Sequence, residues 1–456
     1  MSPDIKRPFI VLLASHWLSM LGVALTTTAG FSWLFVLPMH LRGNADNPYI
    51  GILAFLIIPA VLFLGLALIP VGVLLARRQV VSGLAAIPDR RAAWRKIGVF
   101  LGLMTFVNLV IGSQATYRAV AHMETDQFCG QSCHVMKPEF TAWKHAPHSH
   151  VECVECHITP GAAGWFAAKM AGTRQLMNVV LNTYKRPIED AIETNRLVRS
   201  EETCEKCHAR DKEIGSVMKV IPTFKDDEKN TRSETVLMLM VGGKAGGIHG
   251  AHMGPGVEIR YAPTDSKRGT IPWVEYKGAD GKVSTYVDPS AKPGSVAGLP
   301  RYTMQCVDCH SRPAHTFQLP GRAVDAALAA GKLPANAPFF RKFAVELLTT
   351  SKDGTDIAPK VVAYYKEKAI PGDPAVTAAF LTNLYDSNVF PDLKVTWGTY
   401  SNNLGHTDAP GCFRCHDGSH ERADKTAITN DCTTCHRMVA VDEASPEVLK
   451  TLGIDQ

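Results

Sequence analysis

The chain has 456 residues, 46% of them hydrophobic and 20% charged, with 12 cysteines, 17 histidines and a formal net charge of +5. This composition excludes a disordered chain, a collagen-like fibre and a small disulfide scaffold, and the length admits roughly two to four domains. The charge is too mild to argue for nucleic-acid binding, and no nucleic-acid partner is expected.

Three stretches near the N-terminus, Pro8 to Met39, Tyr49 to Ala76 and Ile97 to Tyr117, contain no Asp, Glu, Lys or Arg. A bilayer span needs about 20 apolar residues, so each predicts a transmembrane helix. The first is too long for a signal peptide, whose apolar core is about 7–15 residues. Lys6 and Arg7 precede the first helix, and Arg77, Arg78, Arg90, Arg91, Arg95 and Lys96 lie between the second and third, whereas the intervening loop holds only Arg42. The positive-inside rule therefore puts the N-terminus in the cytoplasm and everything after about Arg118 outside it. His16 and Asn108 are the polar oddities inside the spans; His16 is expected to snorkel or to bond a neighbouring helix.

Beyond the anchor, all 12 cysteines fall into six pairs, and each pair ends in a histidine. They are Cys129/Cys133–His134, Cys153/Cys156–His157, Cys204/Cys207–His208, Cys306/Cys309–His310, Cys412/Cys415–His416 and Cys432/Cys435–His436. Five have the C-x-x-C-H spacing at which two thiols add to the vinyl groups of one haem and the adjacent imidazole reaches its iron. The first carries one extra residue, which still permits attachment through a larger loop. Disulfides and thioredoxin-like sites do not require the histidine, and zinc sites pair half-motifs across longer spacers. Six covalently attached haem c groups are the reading, and their attachment outside the cytoplasm agrees with the topology.

Between the second and third motifs, Gly164 to Arg199 reads as helix, with Phe166, Met170, Met177, Val180 and Leu181 at helical spacing and expected to pack. The charged run Lys225-DDEKN and a Gly-rich stretch from Gly242 to Gly256 follow. The alternating segment from Trp273 to Val287, broken at Ala279-Asp280-Gly281, then predicts a β-hairpin. Ala323 to Asn388 reads as helical segments broken by Pro334, Pro359 and Pro371. The motif spacings of 24, 51, 102, 106 and 20 residues exclude a fixed-period repeat. The expected fold is mostly α with much irregular structure: a three-helix transmembrane anchor and a haem-packed cytochrome c domain with a small β-hairpin insertion. Its boundaries are 1–117 for the anchor, 118–220 for the first three motifs, 221–300 for the insertion, 301–320 for the fourth motif, 321–400 for a helical linker and 401–456 for the last two motifs.

A sixth ligand for each iron would come from the histidines outside the motifs. Beyond the membrane part these are His122, His145, His148, His150, His249, His252, His315, His406 and His420. Their clustering beside the motifs suits bis-histidine ligation.

A transmembrane helix running into CGQSCHVMKPEF, then HAPHSHVECVECH, TCEKCH and CVDCHSRPAHTF, resembles the NapC/NirT family of membrane-anchored multihaem quinol dehydrogenases. The resemblance covers about Ile97 to Phe317; with the two preceding helices and two further motifs, the chain resembles the longer inner-membrane cytochromes of metal-respiring bacteria. It implies that Met136, two residues after His134, can ligate the first iron in place of that histidine; the extra residue in the motif keeps His134 as the alternative. It further implies crossed ligation, His148 serving the haem of His208 and His315 that of His157. For the added haems, proximity nominates His406 and His420 for the irons of His416 and His436, and His249 or His252 for that of His310.

The function implied is oxidation of membrane quinol, menaquinol or ubiquinol, in a bacterial cytoplasmic membrane, with electrons passing along the haems to a periplasmic or outer-membrane redox partner. The family's quinol site uses a lysine, matched by Lys169, and an acid that has no counterpart among Arg174, Gln175 and Asn178; Glu139 and Lys169 are the nearest candidate quinol-site groups, each with a plain alternative as a surface residue. Two other readings stand beside this one. A terminal reductase of nitrite or hydroxylamine would need an open polar distal pocket, and the sequence has no C-x-x-C-K motif. An electron-wire subunit of a larger complex would use the first two helices for docking.

Overall fold

A computed structural model of the chain describes residues 9–41, 56–82, 90–194, 197–209, 212–243, 246–291 and 294–454. It forms two compact units, Met1–Cys133 and His134–Gln456.

In the first unit, helices Phe9–Ser15 and Trp17–Leu41 are separated at His16. The His16 ring Nδ1 accepts the Leu18 N–H at 3.2 Å and its carbonyl accepts the Ser19 hydroxyl at 2.7 Å. The histidine therefore caps the helix that follows it, which satisfies a polar group in an apolar segment. Helices Ile58–Val81 and Trp94–Met123 are long and apolar enough to cross a membrane; the second is the apolar part of a helix beginning at Arg90. The expected first span, Pro8 to Met39, is divided at His16, its longer part lying in the 25-residue helix Trp17–Leu41, and residues 49–55 of the expected second span lie outside the described residues.

Helices Trp17–Leu41 and Ile58–Val81 pack through small residues. A Cβ on Gly72 would lie 2.3 Å from the Ser19 amide nitrogen, and one on Gly65 would lie 2.5 Å from Thr26 Oγ1. Close backbone approach of this kind supplies the van der Waals contact that holds helices together in lipid, where the hydrophobic effect gives no drive. Helix Ile58–Val81 exposes Phe63 and Leu74, and helix Arg90–Met123 exposes Val99, Phe106 and Leu109, apolar surface suited to acyl chains rather than to water.

The second unit contains more strand than the sequence suggests. Its strands are β1 (Ser216–Phe224), β2 (Arg232–Met240), β3 (Glu258–Ala262), β4 (Trp273–Lys277), β5 (Val283–Val287), β6 (Tyr302–Thr303) and β7 (His436–Glu443). They build two antiparallel sheets, β1-β2-β7 and β5-β4-β3-β6. The expected hairpin forms, Trp273 facing Val287 and Lys277 facing Val283, with Gly281 at φ 78° in its turn. The hairpin β1-β2 was not foreseen: the charged run at Lys225 is its turn, and its strands lack a clean alternation because both faces are partly covered.

The segment expected as a linker has its own core. Helices Pro320–Ala329, Phe340–Thr350, Ile357–Glu367 and Pro374–Asp386 bury Val324, Phe340, Leu348, Ile357, Val361, Leu381 and Tyr385 almost completely. Pro359 does not break a helix; it sits in the first turn of Ile357–Glu367, where an amide has no intrahelical acceptor to lose. Helix Ala162–Val180 ends earlier than expected, with Asn182 at φ 55° after it. Its Phe166, Met170, Met177 and Val180, together with Leu181, are exposed rather than packed.

The substitution Gly72→Val is expected to destabilise the first helix pair by about 1–3 kcal/mol through forced separation of the backbones. This would be read as a lowered thermal midpoint of the detergent-solubilised protein, and an unchanged midpoint would contradict the packing described.

Candidate haem centres

Each C-x-x-C-H motif folds as one tight turn. The His208, His310 and His416 amides donate to the carbonyls of Cys204, Cys306 and Cys412 at 2.8, 2.8 and 3.0 Å. This closure places the two cysteines and the histidine of a motif on one side of the turn. In the first motif the helix Asp126–Gln131 ends before Cys133, and a 3₁₀ turn over His134–Met136 follows.

Five motif histidines face a second imidazole drawn from elsewhere in the chain. Ring centres are 6.0 Å apart for His208 and His148, 6.1 Å for His157 and His315, 6.3 Å for His310 and His249, 5.7 Å for His416 and His252, and 6.1 Å for His436 and His406. Two imidazoles bound to one metal through bonds of about 2 Å put their ring centres about 6 Å apart. The recurring distance therefore fits one iron per pair. Among the described residues no group of three or more His, Cys, Asp or Glu could hold a bare metal ion. Two nitrogens are too few for a structural zinc, whereas a porphyrin brings the other four.

The hydrogen bonds prepare the rings for this role. Nδ1 of His148, His252, His315 and His416 lies 3.1, 2.7, 3.0 and 2.6 Å from the carbonyls of Pro313, Ile248, Glu139 and Thr429. A donor bond at Nδ1 fixes the tautomer and leaves the Nε2 lone pair for a metal. Burial pushes the pKa values of His157, His252 and His310 down, favouring the neutral ligand form. His436 Nδ1 is buried without a partner.

His420 is different. It is buried, with Nε2 2.6 Å from the Ile271 carbonyl and Nδ1 3.0 Å from Asp417. Both nitrogens are occupied, and the ring facing His416 is that of His252. Closeness in sequence suggested His420, but only the packing of the Gly-rich segment shows the alternative.

Two buried ionic clusters fix the motifs. Arg312 donates to Glu139 at 3.1 and 3.2 Å and to Asp190 at 2.6 Å, while Tyr400 lies 4.1 Å from the guanidinium carbon. Burial works against the Arg312 charge, but the two carboxylates outweigh it and raise its pKa. Glu139, a candidate quinol-site group from sequence, is thus buried and ion-paired; its Oε2 is also 3.3 Å from His315 Nδ1. In the second cluster Asp308, between the cysteines of the fourth motif, accepts from Arg268 at 2.8 Å and from the Tyr261 hydroxyl. Burial and the Asp308 charge push the Tyr261 phenol well up. Arg414, between the cysteines of the fifth motif, donates to the Asp308 and Arg268 carbonyls. The variable positions inside two motifs thereby join those motifs, a role that spacing alone does not reveal.

The motif cysteines adjoin in chain order. The thiols of Cys204 and Cys306 share a hydrogen bond, and electrostatic interaction links Cys156 with Cys204 and Cys207, Cys309 with Cys415, and Cys412 with Cys435.

The first motif stands apart. His134 Nε2 lies 3.4 Å from the Tyr184 hydroxyl, and Arg186 donates to that hydroxyl at 2.6 and 3.0 Å. Met136 is half-buried at the end of its 3₁₀ turn. Lys169 is half-buried on helix Ala162–Val180, its Nζ 5.4 Å from the Trp165 ring centre.

Replacing Arg312 by Ala leaves Glu139 and Asp190 as uncompensated buried carboxylates, and a loss of about 3–5 kcal/mol in unfolding free energy is expected. Denaturant titration of the purified protein would measure it; a loss below about 1 kcal/mol would mean that the cluster is solvated.

Residues 91–220 match the NapC/NirT cytochrome c family, N-terminal region. The chain is 35% identical over 451 residues to cytochrome c-type protein ImcH of Geobacter sulfurreducens, covering 92% of this chain and 87% of the relative. It is 31% identical over 114 residues to cytochrome c-type protein NrfH of Wolinella succinogenes, covering 24% of this chain and 60% of that relative. No solved structure matches. Cysteine–histidine turns facing second imidazoles, a matching family region and a near full-length relative lead to one conclusion: the chain belongs to the NapC/NirT family of multihaem cytochromes c, whose haem is covalently attached.

Proposed function

We propose that this protein is a six-haem quinol dehydrogenase of a bacterial inner membrane, held by three transmembrane helices with its N-terminus cytoplasmic and its second unit periplasmic. It oxidises menaquinol or ubiquinol to the quinone, releasing two electrons and two protons, and delivers the electrons to a periplasmic or outer-membrane redox partner. The observation that carries the reading is the contrast among the motif histidines: five face a second imidazole, while His134 faces Tyr184. Six-coordinate iron suits electron transfer, and a centre without a second imidazole suits substrate approach.

The residues that would hold the haems are the twelve motif cysteines, the motif histidines and the facing rings His148, His315, His249, His252 and His406; Met136 is the alternative to His134 at the first iron. When bound, haem c supplies one-electron redox chemistry. The chain orients His148, His252, His315 and His416 through Nδ1 bonds to carbonyls, favours the neutral form of His157, His252 and His310 by burial, and brings motif cysteines from the second to the sixth into interaction in chain order. Tyr184, beside His134, and Lys169 on helix Ala162–Val180 are the polar groups we assign to a quinol hydroxyl, and the exposed Phe166, Met170 and Met177 of that helix are the apolar surface we assign to its approach. Glu139 is not assigned to this site, because Arg312 holds both its oxygens.

Mixing the oxidised, detergent-solubilised protein with a menaquinol analogue should produce the c-type α-band, with a pyridine haemochrome count of six haems per chain. Tyr184→Phe and Lys169→Gln are expected to slow this reduction at least tenfold while leaving the haem count and dithionite reduction unchanged. Absence of reduction by the quinol, or turnover of nitrite or hydroxylamine instead, would overturn the proposal.

A further inference from the structure

We infer that helix Gly247–Met253 is a bracket between two haems: His249 is the distal ligand of the fourth iron and His252 that of the fifth, so one turn of helix joins the four-motif family region to the C-terminal haem pair. This rests on reading the facing histidines as ligand pairs. Residues three apart share one face of a helix, and here that face meets two motifs at once, with 6.3 Å between the His249 and His310 rings and 5.7 Å between those of His252 and His416. Both members of the second pair donate from Nδ1 to a backbone carbonyl, that of Ile248 for His252 and that of Thr429 for His416. Their Nε2 atoms are therefore the ones left for a shared metal.

The helix is held in place by backbone rather than by side chains. The His249 amide donates to the Val241 carbonyl at 2.9 Å, and the Gly243 amide to that of Gly246 at 3.0 Å. Gly242 and Gly247 both have φ of 67°, the left-handed region that glycine occupies without strain. A Cβ on Gly242 would fall 1.8 Å from the Gly246 oxygen, and one on Gly247 would fall 2.6 Å from Gly242 Cα. These two backbone bonds fasten the helix to the end of β2. The same strand end pairs Leu239 with His436, and the Met240 amide donates to the Cys435 carbonyl at 2.9 Å. One strand terminus thus positions ligands of the fourth and fifth irons and the turn of the sixth motif.

The test is the ferric spin state of full-length variants, read by electron paramagnetic resonance and magnetic circular dichroism beside the pyridine haemochrome count. His252→Ala should keep six haems and convert one of them from low to high spin, as should His249→Ala. The double variant should convert two, and His420→Ala none. His252→Met, which supplies a replacement ligand, should keep that haem low-spin while adding a sulfur-to-iron charge-transfer band and raising one reduction potential. A low-spin count unchanged from wild type in His252→Ala with no new band in His252→Met, or a loss of one low-spin haem relative to wild type in His420→Ala, would overturn the bracket. A wild-type count other than six would instead remove the reading on which it rests.

Discussion

The structure depends on one distance: two imidazoles held with their ring centres about 6 Å apart, five times over among the described residues. Fixing a ring so closely requires that its free nitrogen find a partner other than the neighbouring ring. Backbone carbonyls take Nδ1 of His148, His252, His315 and His416. The two rings of each pair come from segments far apart in sequence, so the facing pairs also act as cross-links of the fold. His148 precedes the second motif yet faces the third, and His315 follows the fourth yet faces the second.

The cross-links explain why the second unit mixes two kinds of interior. Around the motifs the walls are short turns tied by buried charges, with Arg312 on Glu139 and Asp190, and Arg268 on Asp308. Such clusters contribute little net stability against apolar replacements, but they are costly to break and specify one arrangement. Residues 320–386, which contain neither Cys nor His, pack instead around Phe340, Leu348, Ile357 and Leu381 as an ordinary helical core. The interior of a multihaem chain is therefore not uniformly borrowed from its cofactors.

Much of this was legible in the sequence, for identifiable reasons. Attachment is encoded locally by two thiols and an imidazole within six residues or fewer, so all six motifs could be read directly. The rings opposite His157 and His208 were named from family resemblance. The partner of His416 was not, because His420 lies close in sequence while His252 is brought there by a glycine loop whose φ angles no spacing rule records. Likewise, Glu139 reads as a surface acid until Arg312, 173 residues away, is seen to cover it. The exposed apolar residues of helix Ala162–Val180 show the opposite error, since helical spacing indicates a face but not what covers it.

An iron anomalous-difference map from crystals of the haem-loaded protein would test the account most directly. It predicts an iron midway between the rings of each pair, His148/His208, His157/His315, His249/His310, His252/His416 and His406/His436, and a sixth beside the first motif with no second imidazole bound. An iron absent from any of these gaps, or a sixth iron held by two histidines, would contradict it.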